Sequence, residues 1–503
     1  MERMSHGKIS YYLFVAVPLI VFELLYISHG QWVGDFWEHS AVVNELSRHL
    51  VHPNNPIIKS SIPHAFFSPY ALLVAVFSRI THTNSIQSLA CFAVFNLFFF
   101  LFSFYFFCKS VFRENHNLIA ALSLIFMLFF WGQDPYRWSG FYHIMVLNLV
   151  LPYPSTFAIS ISFLILSIIA RNNIQNYYSK QALLIILSAV VFITHPTTAI
   201  FLFIAIVSLN FSYNNNSIKQ CILKSAIIII PSLILCLFWP YYHVIGLLHG
   251  NISDFQNDSG SLYSRVFKVI WPILFILPGL FFISKDRTAK FFFSTLFVML
   301  VVFTFGYLFK IYGVSRLMSN IMMFAHFTIA YLIVFLMRGY KLYRNVYAAI
   351  VVIAMTASIY YNYNNFNYAF PTALKSDNVN YSNNVNYYDK YNFLNDFVQP
   401  DDIIFSDASS NWYIPSFSGK VIASNHPLYW IKDIGERRAD VATFFEKETP
   451  DSLRERMIKK YQPDYLLINY ADVHFDSSTI QWLKTIGNDV YEKNQLELIK
   501  IEK

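Results

Sequence analysis

The chain has 503 residues, of which 55% are hydrophobic, 19% are aromatic and only 13% are charged. Soluble proteins carry roughly a quarter of charged residues, so this composition excludes an ordinary soluble enzyme. The 37 basic and 30 acidic residues are spread unevenly, because 35 of them lie between residues 362 and 503. The composition therefore indicates a lipid-embedded body followed by a water-exposed tail.

The formal net charge of +7 does not indicate nucleic-acid binding. The Lys and Arg residues cluster between hydrophobic runs and form no basic stripe, so we expect no nucleic-acid partner. The four cysteines lie in or beside apolar segments, with neither a disulfide framework nor a zinc-binding spacing, and we expect them in the core. They are Cys91, Cys108, Cys221 and Cys236.

Hydropathy predicts about eleven membrane helices. The first follows Arg3 and Lys8, which favours a cytoplasmic N-terminus, and Glu23 within it argues against a cleaved signal peptide. Alternation then places the Lys- and Arg-rich short loops inside, and the loop 29–85 and the tail outside. Residues 66–80 stay open between a membrane helix and a surface helix. The predicted spans are 11–28, 86–108, 117–131, 153–170, 181–194, 196–211, 222–247, 266–284, 290–309, 317–337 and 345–361.

The tail alternates predicted strands and helices from about Asp389 onward, which is typical of a small α/β domain. The sequence thus predicts a transmembrane module over 1–361, an Asn- and Tyr-rich linker over 362–388 and a soluble domain over 389–503. The predicted fold class is an α-helical polytopic membrane protein with a small C-terminal α/β domain. No Gly-x-Gly-x-x-Gly or P-loop string supports nucleotide binding in the tail.

The first outer loop, 29–85, carries the most informative residues. The string Gly34-Asp35-Phe36-Trp37-Glu38-His39 opens an amphipathic stretch to about Leu50, which predicts a helix lying in the interface plane. Asp35, Glu38 and His39 then share one face at the boundary of water and lipid. A carboxylate there is suited to take a proton from an acceptor hydroxyl. The alternative is that Asp35 caps the helix and Glu38 is merely solvated.

A membrane helix that ends in an aspartate, followed by a long outer loop, a Ser68-Pro69-Tyr70 stretch and further spans, resembles the C superfamily of glycosyltransferases (the GT-C fold). The tail adds to the resemblance to bacterial members with a C-terminal α/β domain. Its resembling strings are Ser418-Gly419-Lys420-Val421-Ile422, Asn425-His426-Pro427, Arg437-Arg438-Ala439-Asp440 and Tyr461-Gln462-Pro463-Asp464-Tyr465.

The resemblance implies transfer of a sugar from a polyprenyl-phosphate donor to a glycan, lipid or protein acceptor. The reaction would take place at the outer face of the bacterial inner membrane. Asp35 matches the family's general base, and we predict that Asp35 and Glu38 are catalytic. Where several relatives carry an adjacent acidic pair, this chain has Asp35-Phe36-Trp37-Glu38, so a divalent cation stays possible and we assign no metal ligands.

Two other functions stay open at this stage. An O-antigen polymerase or ligase has about a dozen helices but typically places its catalytic Arg and His in a large late loop, whereas the late outer loops here are short. A lipid-linked sugar transporter or flippase needs ionisable residues in mid-membrane, where only Glu23 lies, and usually shows internal repeats.

The departing polyprenyl phosphate needs cationic partners. The predicted substrate-binding residues on the outer side are Arg137, Arg316 and Lys310, and the alternative for each is snorkelling of its head group to the interface. His195 precedes Pro196 at a break between two short spans, where it either lines the donor site or has a structural role. His39 and His64 are further predicted binding residues.

Overall fold

A computed structural model describes residues 10–502 apart from residues 31, 113, 172–176, 214–216, 249–252, 273–285, 340, 365, 367–385 and 427. Most described residues are helical. The helices are α1 (Tyr11–His29), α2 (Phe36–Arg48), α3 (Pro69–Thr81), α4 (Ser85–Val111), α5 (His116–Phe129), α6 (Leu147–Val150), α7 (Pro154–Arg171), α8 (Tyr177–Thr194), α9 (Pro196–Tyr213), α10 (Ile218–Leu237), α11 (Ser253–Ser264), α12 (Val266–Ile270), α13 (Arg287–Leu308), α14 (Leu317–Gly339), α15 (Lys341–Tyr361), α16 (Tyr387–Tyr391), α17 (Leu394–Phe397), α18 (Ile434–Phe445), α19 (Asp451–Tyr461) and α20 (Ser477–Leu483).

Within the described residues, eight helical segments are long and apolar enough to cross a membrane, so the chain is an integral membrane protein. They are α1, α4, α7, α8, α9, α10, α13 and the segment Tyr312–Met337, which contains most of α14. Each coincides with a predicted span.

Three predicted spans do not reach that length in the described residues. The span at 117–131 is a 14-residue helix, α5, and the apolar part of α15 covers Asn345–Tyr361. Of the span at 266–284, residues 273–284 lie outside the described residues. The ambiguous segment at 66–80 forms α3, with 13 residues.

Local sequence explains where the membrane helices begin and end. The Ser10 hydroxyl accepts a bond from the Leu13 amide at the start of α1, and Gly30 ends that helix in the left-handed conformation. At the start of α13, the Asp286 carboxylate accepts bonds from the amides of Thr288 and Ala289. These caps satisfy backbone groups that a helix end leaves without partners.

The chain divides into two compact units. The first, which we call the helical unit, comprises Met1–Gly30, Phe92–Trp239 and Phe255–Val379. The second, which we call the mixed unit, comprises Gln31–Cys91, Pro240–Asp254 and Asn380–Lys503. The mixed unit thus contains both the first outer loop and the α/β tail. The boundaries predicted at 361 and 389 stay predictions, since the linker between them lies largely outside the described residues.

The interior of the helical unit is aromatic. Phe107 packs on Phe163 with ring centroids 5.1 Å apart, and on Phe327 at 5.3 Å. Further buried rings extend this cluster across α4, α7, α13 and α14. They are Phe100, Phe104, Phe291, Phe292 and Phe324. Each ring pair of this kind stabilises the folded state by about 0.5–1.5 kcal/mol beyond the effect of burying its surface.

The mixed unit is built on a five-stranded sheet in the order β2-β1-β3-β5-β4. Its strands are β1 (Ile403–Ser406), β2 (Lys420–Val421), β3 (Tyr465–Asn469), β4 (Gly487–Lys493) and β5 (Leu496–Ile501). β1 pairs parallel with β2 and β3, and β5 pairs antiparallel with β3 and β4. Gly419 enters β2 at φ +87°, where a Cβ atom would lie 2.8 Å from the Ile404 side chain.

Candidate functional site

Asp35 lies at the start of α2, on a turn that the tail holds in place. Gly34 adopts a left-handed φ of +64°, and its carbonyl accepts a hydrogen bond from the Trp412 indole at 3.0 Å. Asp35 is exposed and occupies the N-cap position, but its carboxylate makes no capping bond to the helix. The capping alternative for Asp35 is therefore not realised in this structure.

Glu38 lies one helical turn further on and is buried, with 1% of its surface exposed. Its Oε1 is 3.4 Å from Nε2 of His64, and its Oε2 is 3.2 Å from Nδ1 of His426. The prediction that Glu38 faces the water-lipid boundary was wrong. The tail covers this face of α2 and supplies the imidazole of His426.

Both imidazoles direct a ring nitrogen at Glu38. Nδ1 of His426 lies 3.2 Å from the carboxylate, and its Nε2 donates to the Trp412 carbonyl at 3.2 Å. His64 accepts a bond at Nδ1 from the Phe66 amide, so its Nε2 carries the proton that points toward Glu38. Imidazole nitrogens therefore face both oxygens of the Glu38 carboxylate.

The two imidazoles keep Glu38 ionised. Burial by itself would raise the pKa of Glu38, but the charge of His426 and the polar contacts with both imidazoles outweigh it and lower the pKa to about 2. A carboxylate with so low a pKa is a poor proton acceptor near neutral pH. Glu38 is therefore a fixed buried anion, whereas Asp35 is the accessible carboxylate of the pair.

His39 follows Glu38 and has a different environment. Its ring stacks on Phe66 with centroids 5.0 Å apart, and the residue is half-buried. Burial lowers the pKa of His39 to about 4, although the Glu38 charge opposes this shift. At neutral pH His39 is therefore uncharged, which suits an apolar contact surface better than the binding of an anion.

A second buried ion pair ties α2 to the sheet. Lys420 on β2 donates to Oε2 of Glu45 at 2.7 Å and to the carbonyl of Asn55 at 2.8 Å. Both charged side chains are buried, at 3% and 2% exposure. Beside this pair the Val421 amide donates to the Ile57 carbonyl at 2.8 Å. The first outer loop and the tail therefore share one hydrogen-bonded interior.

Sequence reasoning missed the three tail residues that complete this interior: Trp412, His426 and Lys420. His426 and Lys420 do lie in strings that carry the GT-C resemblance, but no role was assigned to them. The resemblance was a usable signal, whereas spacing was not, because some 370 to 390 residues separate these side chains from α2.

In the helical unit, the structure brings the two predicted arginines to one loop. Arg137 is exposed in the loop after Trp131, and the Arg316 guanidinium lies 5.2 Å from the centroid of the neighbouring Trp138 ring. Arg265, which the sequence analysis did not select, reaches the same loop. Its guanidinium is 3.5 Å from the Asp134 carboxylate and 5.3 Å from the Tyr136 ring centroid.

The other two predicted residues of the helical unit lie elsewhere along the chain. Nδ1 of His195 lies 2.7 Å from the Thr198 hydroxyl and accepts the Thr198 amide at 3.3 Å, so the imidazole caps α9. This favours the structural alternative for His195. Lys310 is exposed beyond the end of α13, in the left-handed conformation at φ +59°.

A metal centre has no support from the side-chain arrangement. Within the described ranges, no three His, Cys, Asp or Glu side chains converge so that they could hold a metal ion. The Glu38 oxygens contact separate imidazoles, and Asp35 is one turn away. The side chains that the structure describes around Glu38 do not fit a cation site, and we route no step of the proposed reaction through a cation.

Comparison with known proteins identifies the fold. No protein-family model matches the chain, and no curated protein sequence is similar to it. Solved structures do resemble it, among them the following three. The apo oligosaccharyltransferase of Archaeoglobus fulgidus has 12% identity and a TM-score of 0.53, and the alignment covers 93% of this chain and 70% of that one.

ArnT from Cupriavidus metallidurans, solved with undecaprenyl phosphate, has 9% identity and a TM-score of 0.51 over 98% of both chains. The Archaeoglobus fulgidus oligosaccharyltransferase AglB, solved with an inhibitory peptide and a dolichol-phosphate, has 12% identity and a TM-score of 0.50 over 91% and 69%. Both proteins have the GT-C fold. The predicted GT-C-like fold is thus confirmed, as is the polytopic helical class with a small C-terminal sheet.

Proposed function

We propose that this chain is a glycosyltransferase that moves a sugar from a polyprenyl-phosphate donor to a hydroxyl group of a glycan, lipid or protein. The observation that carries the proposal is the exposed Asp35 on a turn fixed by Trp412, one helical turn before the buried Glu38. A catalytic carboxylate must be accessible to substrate and yet rigidly positioned, and this turn provides both.

In the proposed reaction, Asp35 removes the proton from the acceptor hydroxyl as the oxygen attacks the anomeric carbon of the donor sugar. The bond between that carbon and the phosphate oxygen breaks, and polyprenyl phosphate leaves with the bonding electron pair. Arg316 and Arg137 are the proposed partners of the developing phosphate charge, since guanidinium groups match phosphate oxygens well. No nucleotide enters this reaction.

We assign Glu38 a positioning role in place of direct proton transfer. Its burial between His64 and His426 keeps acceptor hydroxyls away and keeps it ionised. Its contribution is to anchor the first turn of α2, and through that turn to orient Asp35. His39 and His64 support the same turn from within the first outer loop.

The lipid-linked donor is supported by two neighbours in fold, which were solved with undecaprenyl phosphate and with a dolichol-phosphate. A donor with a polyprenyl tail resides in the bilayer, which suits a chain with eight membrane-spanning candidates in its described part. The distribution of Lys and Arg favours the outer face of a bacterial inner membrane for loop 29–85 and for the tail.

The test supplies the purified chain, in proteoliposomes, with undecaprenyl phosphate linked to radiolabelled glucose, galactose or mannose. Bacterial envelope glycans, lipids and proteins serve as acceptors. The proposal predicts that undecaprenyl phosphate is released, detected by mass spectrometry, while the label moves to an acceptor. Labelled lipid that crosses the bilayer without release of undecaprenyl phosphate would instead identify a flippase.

Arg316→Gln provides an internal check on the leaving-group assignment. Loss of a charge partner for the phosphate predicts a fall in turnover of about 10²–10³-fold. Arg456→Gln, on the exposed side of α19, is the matched control and should leave turnover unchanged. Equal turnover by the two variants would remove Arg316 from the reaction.

A further inference from the structure

The mixed unit contains a polar cavity that the reaction proposed above does not use. Its volume is about 200 Å³. At about 30 Å³ for each water of bulk liquid, the cavity has room for roughly six waters. Its volume is below the ~300 Å³ lower end of pockets for drug-sized ligands. A cavity of this size accommodates one sugar ring, and it is too small for a lipid tail. Its lining includes Asn44, Arg48, Asn84, Tyr388, Asn395 and Phe417.

The cavity wall combines amides with aromatic rings. The Tyr388 and Phe417 rings lie 5.9 Å apart at an interplanar angle of 51°. Asn44 is fixed by bonds from its Nδ2 to the carbonyls of Pro415 and Phe417, at 3.4 and 3.1 Å. Asn84 donates to the Tyr388 hydroxyl at 3.5 Å, which leaves the phenolic proton available to a ligand.

Arg48 is the charged donor of the cavity wall. It is half-buried on the last turn of α2, and within the described part of the chain its guanidinium makes no hydrogen bond or ion pair. A guanidinium carries five N–H donors, so Arg48 can donate to a ligand that enters the cavity. Burial lowers the pKa of Arg48, while the charges of Glu45 and Asp401 partly oppose that shift.

These nearby carboxylates select among possible ligands. Glu45 is already neutralised by Lys420, and Asp401 lies close enough to Arg48 to influence its charge. Asp401 does not line the cavity, but its charge partly offsets that of Arg48 and so weakens the attraction for an anionic ligand. The hydroxyl groups of a neutral sugar accept hydrogen bonds from Arg48 without depending on that attraction. Amide and phenol groups supply further bonds to hydroxyls, and the aromatic wall suits the apolar face of a pyranose.

We infer that this cavity binds one neutral pyranose unit of a glycan acceptor. The acceptor role rests on the proposed transferase function, whereas sugar binding itself does not. The cavity lies between the last turn of α2 and tail residues around 388–417, so it gives the tail a direct part in recognising the acceptor. Nothing in the reaction at Asp35 requires a second sugar site, which makes the inference independent of the catalytic residues.

The experiment measures binding directly by saturation-transfer difference NMR, which detects weak ligands. The full chain is held in nanodiscs free of sugar detergents, and the probes are the methyl glycosides of glucose, galactose and mannose, N-acetylglucosamine, and glucuronate. At least one neutral sugar should give a signal that falls at least fivefold in Arg48→Gln and in Asn395→Ala. Arg456→Gln is the matched control and should retain the wild-type signal.

Three results would overturn the inference: no neutral sugar gives a signal above that of glycerol, glucuronate alone binds, or both cavity variants bind as strongly as the wild type. A melting temperature close to that of the wild type shows that each variant is folded. Asp35→Asn distinguishes the two proposals, because it should bind the sugar normally while losing transfer. If transfer is absent from the wild type but the sugar still binds, the transferase proposal fails and the sugar site stands.

Discussion

Buried carboxylates distinguish the two units of this protein. In the helical unit, Glu23 on α1 is fully buried, and neither of its oxygens has a hydrogen-bond partner in the described part of the chain. In the mixed unit, Glu38 contacts two imidazoles and Glu45 contacts Lys420. The helical unit is held together by aromatic packing, whereas the mixed unit uses buried charges to fix particular side chains in place.

The difference matches what each unit must do. A lipid-embedded bundle needs close packing, which its phenylalanine cluster provides, and gains little from ionic specificity. A unit that positions a carboxylate for the proposed proton transfer needs side chains held to within a fraction of an ångström. Removing one partner of a buried ion pair should therefore lower the stability of the mixed unit. Removing the buried carboxyl of Glu23 should not lower the stability of the helical unit.

The largest expected effect follows from Lys420→Met. This change leaves Glu45 buried beside His49 without its lysine, and breaking a buried ion pair on one side costs about 3–5 kcal/mol of unfolding free energy. Denaturant unfolding in detergent measures the loss. Lys459→Met, which removes an exposed pair with Glu455, is the control and should cost under about 1 kcal/mol. Similar losses in both variants would contradict the claim that the buried pair of Lys420 and Glu45 stabilises the mixed unit.

Glu38→Gln should act on both stability and transfer. His64 and His426 lose the buried carboxylate charge that they contact, with an expected cost of about 2–4 kcal/mol. Because the turn that carries Asp35 then shifts, turnover should fall about 10–100-fold while the profile of transfer against pH keeps its shape. A folded variant with normal turnover would contradict the positioning role. A profile whose acidic limb moves would instead show that Glu38 itself exchanges the proton.

His39 makes stability depend on pH. Its pKa in the folded protein is about 4, below the ordinary value of 6.5, so the unfolded chain takes up the proton first as pH falls. The free energy of unfolding is therefore highest above pH 6.5 and falls progressively toward pH 4. The total loss is about 2 kcal/mol once the partial exposure of His39 is allowed for. His39→Phe keeps the ring contact with Phe66 and should flatten this part of the curve. An unchanged slope of melting temperature against pH would contradict the assignment.

Glu23→Leu is the smallest expected effect and the one of opposite sign. Replacing a buried carboxyl that lacks partners among the described residues with an apolar side chain should raise stability by about 1–2 kcal/mol. The melting temperature in detergent should rise, and transfer should be unchanged. A drop in stability would show that Glu23 has a partner that matters, and the contrast between the units would no longer hold.

The membrane helices and the α/β tail were predictable because each rests on local patterns: long apolar runs, flanking Lys and Arg, and alternating strands. The exposed position of Asp35 was also predictable, since this residue follows a membrane helix at the start of a long outer loop. The burial of Glu38 was not predictable. Its position suggested a solvated face, and only the tertiary arrangement reveals that His426, 388 residues further on, covers it.

The same limit applies to the cationic residues. Arg316 was identified because it precedes a late helix, but Arg265 reaches the loop around Asp134 only through the folding of the helical unit. His195 shows the converse. Its position beside Pro196 suggested a ligand site, yet the imidazole caps α9 through a local bond with Thr198. Sequence position identifies accessible polar residues, whereas tertiary contacts decide which of them are already engaged.

The central claim is that Asp35 is the catalytic base, and Asp35→Asn tests it most directly. The variant keeps the shape of the side chain and removes no capping bond of α2, and its melting temperature shows whether it is folded. We predict loss of at least about 10²-fold in the release of undecaprenyl phosphate from its sugar-linked form, as expected for removal of a general base. Asp396→Asn, an exposed residue of the same unit, should release it at the wild-type rate. Wild-type release by a folded Asp35→Asn variant would contradict the account.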